Sequence, residues 1–357
     1  MRKYSVEVAG VLVGAGHPAF LVAELGVTHE GSLEVASQMV RAAKDAGFNA
    51  VKVECINADR LVAVDYRDVI QYSFSTLSGQ TKTINYHELL KQVTLTYDEI
   101  GELSSIARSF DMPFFGTAFD IDTVGFLKSI GACAIKISSG EIDHFPLLEA
   151  AAATGLPVFF DSGRASVVEV LTTVEALTAA GCPVPIVMHN PSGYPASPRD
   201  VCLGTMGIYR EATGLPVGFS CHTRGNAMVH AAVAVGTNVI EKPLSRDNTV
   251  EEDEHIFSIN MDDLGSFVGE VRAIEAALGV NLAKLTHGDD EIVKTRFRQS
   301  IVAARDLPAG HWLTAADLSF ARPGFGIRPA DAGRLLGRSL LTSLEAGALL
   351  LEKHLAG

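Results

Sequence analysis

The sequence of 357 residues has few cysteines, no Cys-x-x-Cys pair and no long apolar run. Its five cysteines are an odd number, which indicates reduced thiols rather than a disulfide framework. No run approaches the roughly 20 apolar residues that cross a membrane, and the first residues (MRKYS) lack the apolar core of a secretory signal. We therefore expect a cytoplasmic protein with no membrane partner.

Positive charge is also scarce. The chain has 29 Lys and Arg against 42 Asp and Glu, a net charge of −13, which argues against nucleic acid as a partner. Its 47% of hydrophobic and 20% of charged residues are ordinary for a soluble enzyme. If the substrate is an anion, the positive charge that binds it must be local.

Short apolar runs rich in β-forming residues recur along the chain, each followed by a polar turn and a helical pattern. Eight such β/α repeats predict an α/β fold, the (β/α)₈ TIM barrel. A doubly wound sheet is the alternative, but residues 24–31 (ELGVTHEG) after the first run lack its Gly-rich fingerprint. The predicted strands are 20–24, 50–54, 114–117, 134–138, 157–161, 185–189, 216–220 and 238–242.

Two stretches interrupt the alternation of strand and helix patterns. Residues 56–93 are too long for a plain crossover, so we expect an insertion over the barrel mouth or at an interface. After residue 278 the pattern changes, and we predict a barrel domain at 1–283, a polar linker at 284–297 and a turn-rich domain at 298–357. A module this small seldom supports a deep pocket of its own, so we expect it to cover a site of the barrel.

The segment 134–141 (AIKISSGE) is the most informative part of the chain. Its apolar run carries Lys136, and a lysine in a buried strand is costly unless an anion meets it. The serines and glycine that follow offer hydroxyl and backbone N–H groups, which suit an anion. Glu141 comes next, so the segment predicts a site for a phosphorylated or carboxylated substrate.

Polar groups end nearly every predicted strand, where barrel active sites lie. These groups can bind an anion, move a proton or ligate a metal. They are Glu24, Lys52, Glu54, Thr117, Lys136, Ser139, Glu141, Asp161, His189, Ser220, His222, Glu241 and Lys242.

Each of these residues has a structural alternative. Lys52 and Lys136 could form ion pairs with Glu54 and Glu241 inside the barrel, with no part in binding. Glu24 could cap the turn that follows its strand.

Several of these segments together resemble the sialic acid (nonulosonic acid) synthase family, whose barrel is followed by an antifreeze-like (SAF, β-clip) domain. The likeness covers nearly the whole chain. It rests on 22–26 (VAELG), 51–53 (VKV), 115–120 (FGTAFD), 136–141 (KISSGE), 193–196 (GYPA), 216–220 (PVGFS), 240–242 (IEK) and 322–324 (RPG).

The resemblance implies an enzyme that condenses phosphoenolpyruvate with an acylamino sugar aldehyde to give a 2-keto-3-deoxy sugar acid. It implies a divalent metal, Mn²⁺ or Mg²⁺, that activates the aldehyde. It also implies a domain-swapped homodimer in which the small domain of one subunit lends an arginine to the sugar site of the other.

The family's functional residues can be carried over by position. Lys52, Lys136, Ser139 and Ser220 would hold phosphoenolpyruvate, and Ser192 and Tyr194 would lie beside it. Glu141 would bind the sugar, and Glu24 would position water or a hydroxyl. The full predicted site comprises Glu24, Lys52, Lys136, Glu141 and Arg322 as catalytic residues, Ser139, Asp161, Ser192, Tyr194, Ser220 and Lys242 as substrate-binding residues, and His222 as the metal ligand.

The sequence departs from the family pattern around the metal. A second histidine ligand is replaced by Pro243, which cannot ligate, and the aspartate that precedes His222 in the family is Cys221. The first loop has Thr, His and Glu at 28–30 where the family has Asn, His and Asn. A lone histidine is weak evidence for a metal, and His222 could equally be a buried, hydrogen-bonded structural residue.

A further departure concerns the phosphate. Asp161 stands where the family has a serine, and a carboxylate opposes a phosphate unless a cation such as Arg164 or Arg246 is near. Residues 189–195 (HNPSGYP) resemble a divergent branch of the family that also lacks the second histidine. Two alternatives therefore remain: the same barrel with lyase or aldolase-like chemistry, and a non-catalytic sugar-acid-binding homologue.

Overall fold

Eight parallel strands close into a barrel in the part of the chain between residues 4 and 250. The computed structural model describes residues 4–250, 254–279 and 290–356. Contacts divide the chain into two compact units, Met1–Gly279 and Val280–Gly357, each with its own hydrophobic core. The strands of the first unit are β1 Ser5–Val8, β2 Val11–Gly14, β3 Phe20–Gly26, β4 Ala50–Cys55, β5 Gln71–Ser75, β6 Thr81–Asn85, β7 Phe114–Ala118, β8 Ile135–Ile137, β9 Val158–Asp161, β10 Ile186–His189, β11 Val217–Ser220, β12 Val239–Ser245 and β13 Ile259–Asn260.

The barrel closes because β12 pairs in parallel with both β11 and β3. The other barrel strands follow in the order β4, β7, β8, β9, β10 and β11, each parallel to its neighbour. Every residue of β3 and β12 is buried, as expected of parallel strands with side chains covered on both faces. The predicted TIM barrel is confirmed, and closure excludes the doubly wound sheet.

Helices surround the barrel, and local sequence signals mark where they begin. Thr96 and Ser166 each form a capping box with the glutamate three residues later. Within the described residues, no helix has both the length and the apolar character that crossing a membrane requires. The helices of the first unit are α1 Leu33–Ala46, α2 Ala58–Leu61, α3 Tyr86–Val93, α4 Tyr97–Ser109, α5 Ile121–Ser129, α6 Phe145–Ala153, α7 Val167–Ala179, α8 Thr205–Thr213, α9 Ala227–Ala234 and α10 Leu264–Ala277.

Strand alternation determines which side chains enter the barrel. Neighbouring residues in register share a face, and Glu24 pairs with both Lys52 and Pro243. The register also pairs Phe115 with Lys52 and Phe159 with Lys136. The two rings stack with centroids 5.2 Å apart, so an aromatic pair lies beside the lysines inside the barrel.

A β-hairpin of β1 and β2 precedes the barrel and was not predicted. Its turn is Ala9–Gly10, with φ of 50° and 80°. Positive φ at two successive residues is the tight turn that two-residue hairpins favour. Alanine is an uncommon residue at such a φ, so no local residue preference predicts this turn.

The predicted insertion at 56–93 contains α2, the antiparallel pair of β5 and β6, and α3. It has a small hydrophobic cluster in which Ile56, Ala58, Val62 and Leu90 are buried. Because the insertion follows β4 directly, it stands at the carboxyl ends of the barrel strands. The prediction that it lies over the mouth agrees with this position.

The second unit is turn-rich, as predicted. It begins with α11 Asp290–Phe297, followed by β14 Ser300–Ala303, which pairs antiparallel with β15 Leu318–Ala321. Arg305 and His311 both bind the buried Asp317, at 2.6 and 2.9 Å. Because α11 falls within the predicted linker at 284–297, that part of the linker is helical. Residues 284–289 of the linker lie outside the described residues.

We expect Gly218→Ala to destabilise the barrel. A Cβ at Gly218 would overlap Sδ of Met188 and lie 2.7 Å from Cβ of Val239, and overpacking of this kind costs about 1–3 kcal/mol. Urea unfolding measures the loss. The matched control is Gly207→Ala in α8, where no atom lies within 4 Å of the added Cβ and a gain of about 0.5–1 kcal/mol is expected. Equal stability of G218A and the native protein would contradict the prediction.

Candidate functional site

The carboxyl ends of the barrel strands bring two lysines and four carboxyl groups together. We call this set the lysine–carboxylate cluster: Glu24, Lys52, Glu54, Lys136, Asp161 and Glu241. Lys52, Lys136 and Glu241 are each only 1% exposed. Because strand alternation aims these side chains into one closed barrel, groups far apart in the sequence meet at its mouth.

Ion pairs run through the cluster from one side of the barrel to the other. Lys52 contacts Glu24 directly, and its Nζ lies 3.5 Å from Oε1 of Glu241. Lys136 contacts Glu241 directly, and its Nζ lies 3.1 Å from Oδ2 of Asp161. The two lysines therefore share one glutamate and are held side by side.

Glu241 is the residue that joins the two halves of this chain of ion pairs. Its Oε1 also accepts a hydrogen bond of 3.1 Å from Oγ of Ser220. Its Oε2 is buried without a hydrogen-bond partner among the described residues. Glu241 was predicted only as a strand-end group and an alternative ion-pair partner. Its central place depends on barrel closure, which no local sequence pattern reveals.

Burial and charge act in opposite directions on these groups. Burial disfavours charged lysine, but the attraction of Glu24, Glu241 and Glu54 outweighs it and raises the pKa of Lys52 well above its usual value. For Glu241 burial favours the neutral acid, but Lys136 and Lys52 prevail and lower its pKa. The two lysines and Glu241 are thus charged.

The outlying carboxyl groups behave differently. Burial raises the pKa of Asp161 to about 7 although Lys136 opposes the shift. Burial likewise raises the pKa of Glu54 to about 7 against the pull of Lys52, whose Nζ lies 3.9 Å away. Below neutral pH both groups hold a proton, and the charge of the cluster changes near pH 7.

The two lysines are therefore already paired with carboxylates, whereas a simple anion-binding site would have unpaired lysines. They contact carboxylates, and an anionic ligand reaches them only by displacing those groups. The cation beside Asp161 is Lys136, rather than the predicted Arg164 or Arg246. Arg246 lies instead 3.4 Å from Glu30.

A second wall of the mouth consists of loop residues after β8, β9 and β10. They surround a cleft of about 350 Å³ that is lined by Ser139, Gly163, Arg164, Ser192 and Tyr194, among others. A Cβ on Gly163 would overlap the side chain of Ser139, so a glycine there lets the two loops approach closely. This wall carries the hydroxyl and backbone N–H groups that the sequence predicted.

Glu141 lies on the turn after β8. Its Oε2 accepts a hydrogen bond of 2.6 Å from Oγ of Ser138. Burial raises the pKa of this carboxyl, although the bond from Ser138 opposes the shift. Glu141 also lines a cleft of about 390 Å³ together with Ile70, Tyr86 and Phe119.

His222 is packed between aromatic rings. Its ring lies 4.8 Å from that of Tyr194 and 5.7 Å from that of Phe257. Burial and the nearby lysines lower the pKa of His222 to about 3, so the imidazole is neutral. Nδ1 has no hydrogen-bond partner in the described part of the chain, which does not support a fully hydrogen-bonded structural histidine.

Few groups at the barrel mouth could hold a metal ion. Neutral His222 and the buried Oε2 of Glu241 are suitable donors. Yet no group of three or more His, Cys, Asp or Glu side chains within residues 4–250, 254–279 and 290–356 is placed to hold a metal. Since protein metal sites usually need three ligands, these residues do not form a complete metal site by themselves.

Lys242, predicted to bind substrate, faces the other side of its strand from Glu241. Its Nζ donates to the carbonyl of Thr223 at 2.5 Å and to Sγ of Cys221 at 3.4 Å. Burial lowers the pKa of this amine. Successive residues of a strand point to opposite faces, so Glu241 and Lys242 could not both enter the barrel. The geometry does not support the prediction for Lys242.

Arg322 belongs to the second unit. Its guanidinium lies over the ring of Phe297, 5.4 Å from the centroid. Arg298 and Arg328 line the same cleft, which measures about 730 Å³. Three arginines thus line one cleft of the second unit.

Comparison with known proteins gives matches over nearly the whole chain. A family described as NeuB family matches residues 39–283, and the SAF domain matches residues 298–356. The N,N′-diacetyllegionaminic acid synthase of Legionella pneumophila is 32% identical over 96% of each chain. The N-acetylneuraminate-9-phosphate synthase of Mus musculus is 29% identical over 96% of this chain and 94% of its own.

A solved structure agrees with these matches. It is the N-acetylneuraminic acid (sialic acid) synthetase of Leptospira borgpetersenii, in complex with citrate, with a TM-score of 0.71 and 27% identity. The match covers 82% of this chain and 96% of that one. The predicted fold, a barrel followed by an SAF domain, is confirmed.

We expect Asp161→Asn to change how stability depends on pH. Between about pH 4 and 7 the folded state holds a proton on Asp161 that the unfolded chain has lost, so native stability falls as pH rises. The variant lacks this fall. Its free energy of unfolding should improve relative to the native protein by up to about 1.4 kcal/mol per pH unit in that window.

Urea unfolding at several pH values measures this difference. Asp122→Asn is the control, because the Asp122 side chain is 74% exposed, and its profile should parallel that of the native protein. A D161N profile that also runs parallel would show that Asp161 is ionised throughout.

Proposed function

Because the chain belongs to the NeuB family, we propose that it joins phosphoenolpyruvate to the aldehyde of an open-chain acylamino sugar, giving a 2-keto-3-deoxy sugar acid and phosphate. The similar proteins from Legionella and mouse are synthases of nonulosonic acids. The predicted family and the predicted class of enzyme are thereby confirmed. The choice of substrates and the roles of individual residues are our proposals.

The observation that carries the proposal is the pair of buried lysines, Lys52 and Lys136, which share Glu241 at the carboxyl ends of the barrel strands. Phosphoenolpyruvate carries a carboxylate and a phosphate. These two groups can take over the lysine contacts that Glu241 and Asp161 make. Protonation of Asp161 makes its displacement easier, because a neutral acid binds the ammonium group more weakly.

The reaction then needs one new carbon–carbon bond and the addition of water. C3 of the enolpyruvate attacks the aldehyde carbon, and the carbonyl oxygen takes a proton. Water adds at C2, and the bond from C2 to the phosphate oxygen breaks. We assign Lys52, Lys136, Ser139 and Ser220 to phosphoenolpyruvate and Glu24 to the water.

The remaining assignments follow the cleft. Glu141 would bind the sugar, and Ser192 and Tyr194 would lie beside phosphoenolpyruvate. The Mn²⁺ or Mg²⁺ that the family resemblance implies would find His222 as its one nitrogen ligand. Since the described residues do not complete such a site, no step is assigned to a metal.

Phosphate release tests the proposal. We expect purified protein with phosphoenolpyruvate, a panel of acylamino sugars and Mn²⁺ or Mg²⁺ to release phosphate in step with a new keto acid. A parallel reaction with chelator measures the dependence on metal. Release of pyruvate instead of phosphate would favour the lyase or aldolase-like alternative. No release together with no binding of phosphoenolpyruvate by calorimetry would overturn the proposal.

Two variants test the anion site. We expect Ser139→Ala and Lys136→Met to lower kcat/KM for phosphoenolpyruvate, the latter by at least about 100-fold, since an ammonium contact to an anion is charge-assisted. Lys91→Met is the control, because that side chain is 47% exposed. S139A covers the case in which K136M fails to fold, because breaking a buried ion pair costs about 3–5 kcal/mol. Unchanged kinetics of S139A and a folded K136M would remove these assignments.

The proposal includes a homodimer in which Arg322 completes the sugar site of the partner subunit. We expect Arg322→Ala and Lys136→Met each to be inactive alone. A mixture that exchanges subunits should recover up to about a quarter of native activity, because half of the dimers are mixed and each has one intact site. No recovery, with exchange shown by mass spectrometry, would place Arg322 in the site of its own subunit or in none.

A further inference from the structure

Glu54 places one carboxyl group of the lysine–carboxylate cluster in an open cleft. Its side chain is 21% exposed, against at most 10% for the other three carboxyl groups of the cluster. The cleft measures about 370 Å³ and is also lined by Tyr86 and Tyr194, a size within the usual range of small-molecule sites. A bound substrate can therefore touch Glu54 without entering the buried part of the cluster.

The same cleft adjoins the part of the mouth that we assign to the sugar. It shares Ile70, Phe119 and Ser138 with the cleft that Glu141 lines. Oε1 of Glu54 also lies 3.9 Å from Nζ of Lys52, which we assign to phosphoenolpyruvate. Glu54 therefore borders the positions of both substrates, where the new carbon–carbon bond must form.

A buried hydroxyl beside Glu54 lacks a partner. Glu54 pairs in register with Thr117, and Thr117 pairs with Lys136, so the three side chains share the inward face of the barrel. Thr117 is 1% exposed, and its Oγ1 has no hydrogen-bond partner among the described residues. Because a buried hydroxyl without a partner is unfavourable, this atom marks a position beside Glu54 for a polar atom of a bound substrate.

The surroundings of Glu54 let it hold a proton at neutral pH. Burial raises its pKa to about 7, although the charge of Lys52 opposes the shift. A group with a pKa near the working pH both carries a proton and releases it readily, as a general acid must. The charged and titratable groups that face Glu54 are Lys52 on its own strand, Glu24 on β3, Lys136 on β8, Glu241 on β12, and Tyr194 and Glu254 in the cleft.

We propose that Glu54 is the general acid of the reaction and gives its proton to the aldehyde oxygen of the sugar as the carbon–carbon bond forms. The inference rests on the proposed function, because it assigns the proton donor that the reaction needs. It gives a catalytic role to a residue that the sequence predicted only as a strand-end group and an ion-pair partner of Lys52.

The proton transfer balances within the reaction. As C3 of the enolpyruvate bonds to the aldehyde carbon, the π electrons of the carbonyl move to its oxygen and bind the proton. The electron pair of the broken O–H bond stays on Glu54, and Lys52 stabilises the resulting carboxylate. The water that adds at C2 then releases one proton, which restores the acid, and its second proton leaves with phosphate.

Glu54→Gln tests the inference on the full-length protein, because glutamine keeps the shape of the side chain but has no acidic proton. We expect kcat to fall by about 10²- to 10⁴-fold, with KM for phosphoenolpyruvate little changed. Glu54→Asp keeps the acid and should recover part of the rate. The matched control is Glu88→Gln, which should keep native kcat because that side chain is 64% exposed and does not line the cleft.

The dependence of kcat on pH separates a general acid from a structural residue. With both substrates saturating, native kcat should fall about tenfold per pH unit above about pH 7, because the carboxyl group loses its proton there. E54Q should lack this fall. Asp161→Asn removes the other carboxyl group whose pKa is raised to about 7, and it should retain the fall.

The outcomes distinguish this inference from the proposed function. Native kcat in E54Q, or a reduced kcat that still falls above pH 7, would overturn the inference and leave the proposed function intact. A native kcat that stays constant from about pH 6 to 9 would overturn it without any variant. No release of phosphate by the native protein with any acceptor would instead overturn the proposed function, and the inference with it.

Discussion

The contact of one buried glutamate, Glu241, with two buried lysines is the constraint on which the rest of the site depends. Without it, Lys52 and Lys136 would repel each other in a medium where charge is costly. Glu241 can hold both only because barrel closure brings β12 beside β3 and opposite β8. The hydroxyl of Ser220 donates a further hydrogen bond to Glu241. The ion pairs at the barrel mouth therefore depend on closure of the barrel.

If phosphoenolpyruvate binds these lysines as we propose, its binding exchanges one set of lysine partners for another. An anion that binds unpaired lysines gains the whole electrostatic attraction. An anion that displaces carboxylates gains only the difference between its own attraction to the lysines and that of the carboxylates. The exchange has a benefit for specificity, because a ligand with one anionic group would leave a lysine or a carboxylate unpaired. A ligand with both a carboxylate and a phosphate can satisfy both lysines. Burial raises the pKa of both Asp161 and Glu54 to about 7, so the charge opposing such a ligand changes near neutral pH.

The sequence was sufficient where the signal is local. The apolar run around Lys136 and the polar residues at the strand ends predicted the barrel and most of its mouth. They could do so because the alternation of apolar and polar residues is visible within a short stretch of sequence. It was insufficient where partners come from distant strands. Only the register of β12 shows that Glu241 faces into the barrel and Lys242 away from it. The turn at Ala9 is equally hidden, because alanine seldom adopts a positive φ.

The departures from the family pattern fall on one side of the barrel mouth. Asp161, His222 and Pro243 stand at the ends of β9, β11 and β12, and the register places Pro243 on the inward face beside Glu24. The two lysines stand on β4 and β8, which β7 joins on the other side of the barrel. On the proposed function these lysines hold the anionic substrate, and the departures alter the groups around them. Because the lysines and the departures stand on different strands, the surroundings of the lysines can diverge while the lysines themselves stay in place.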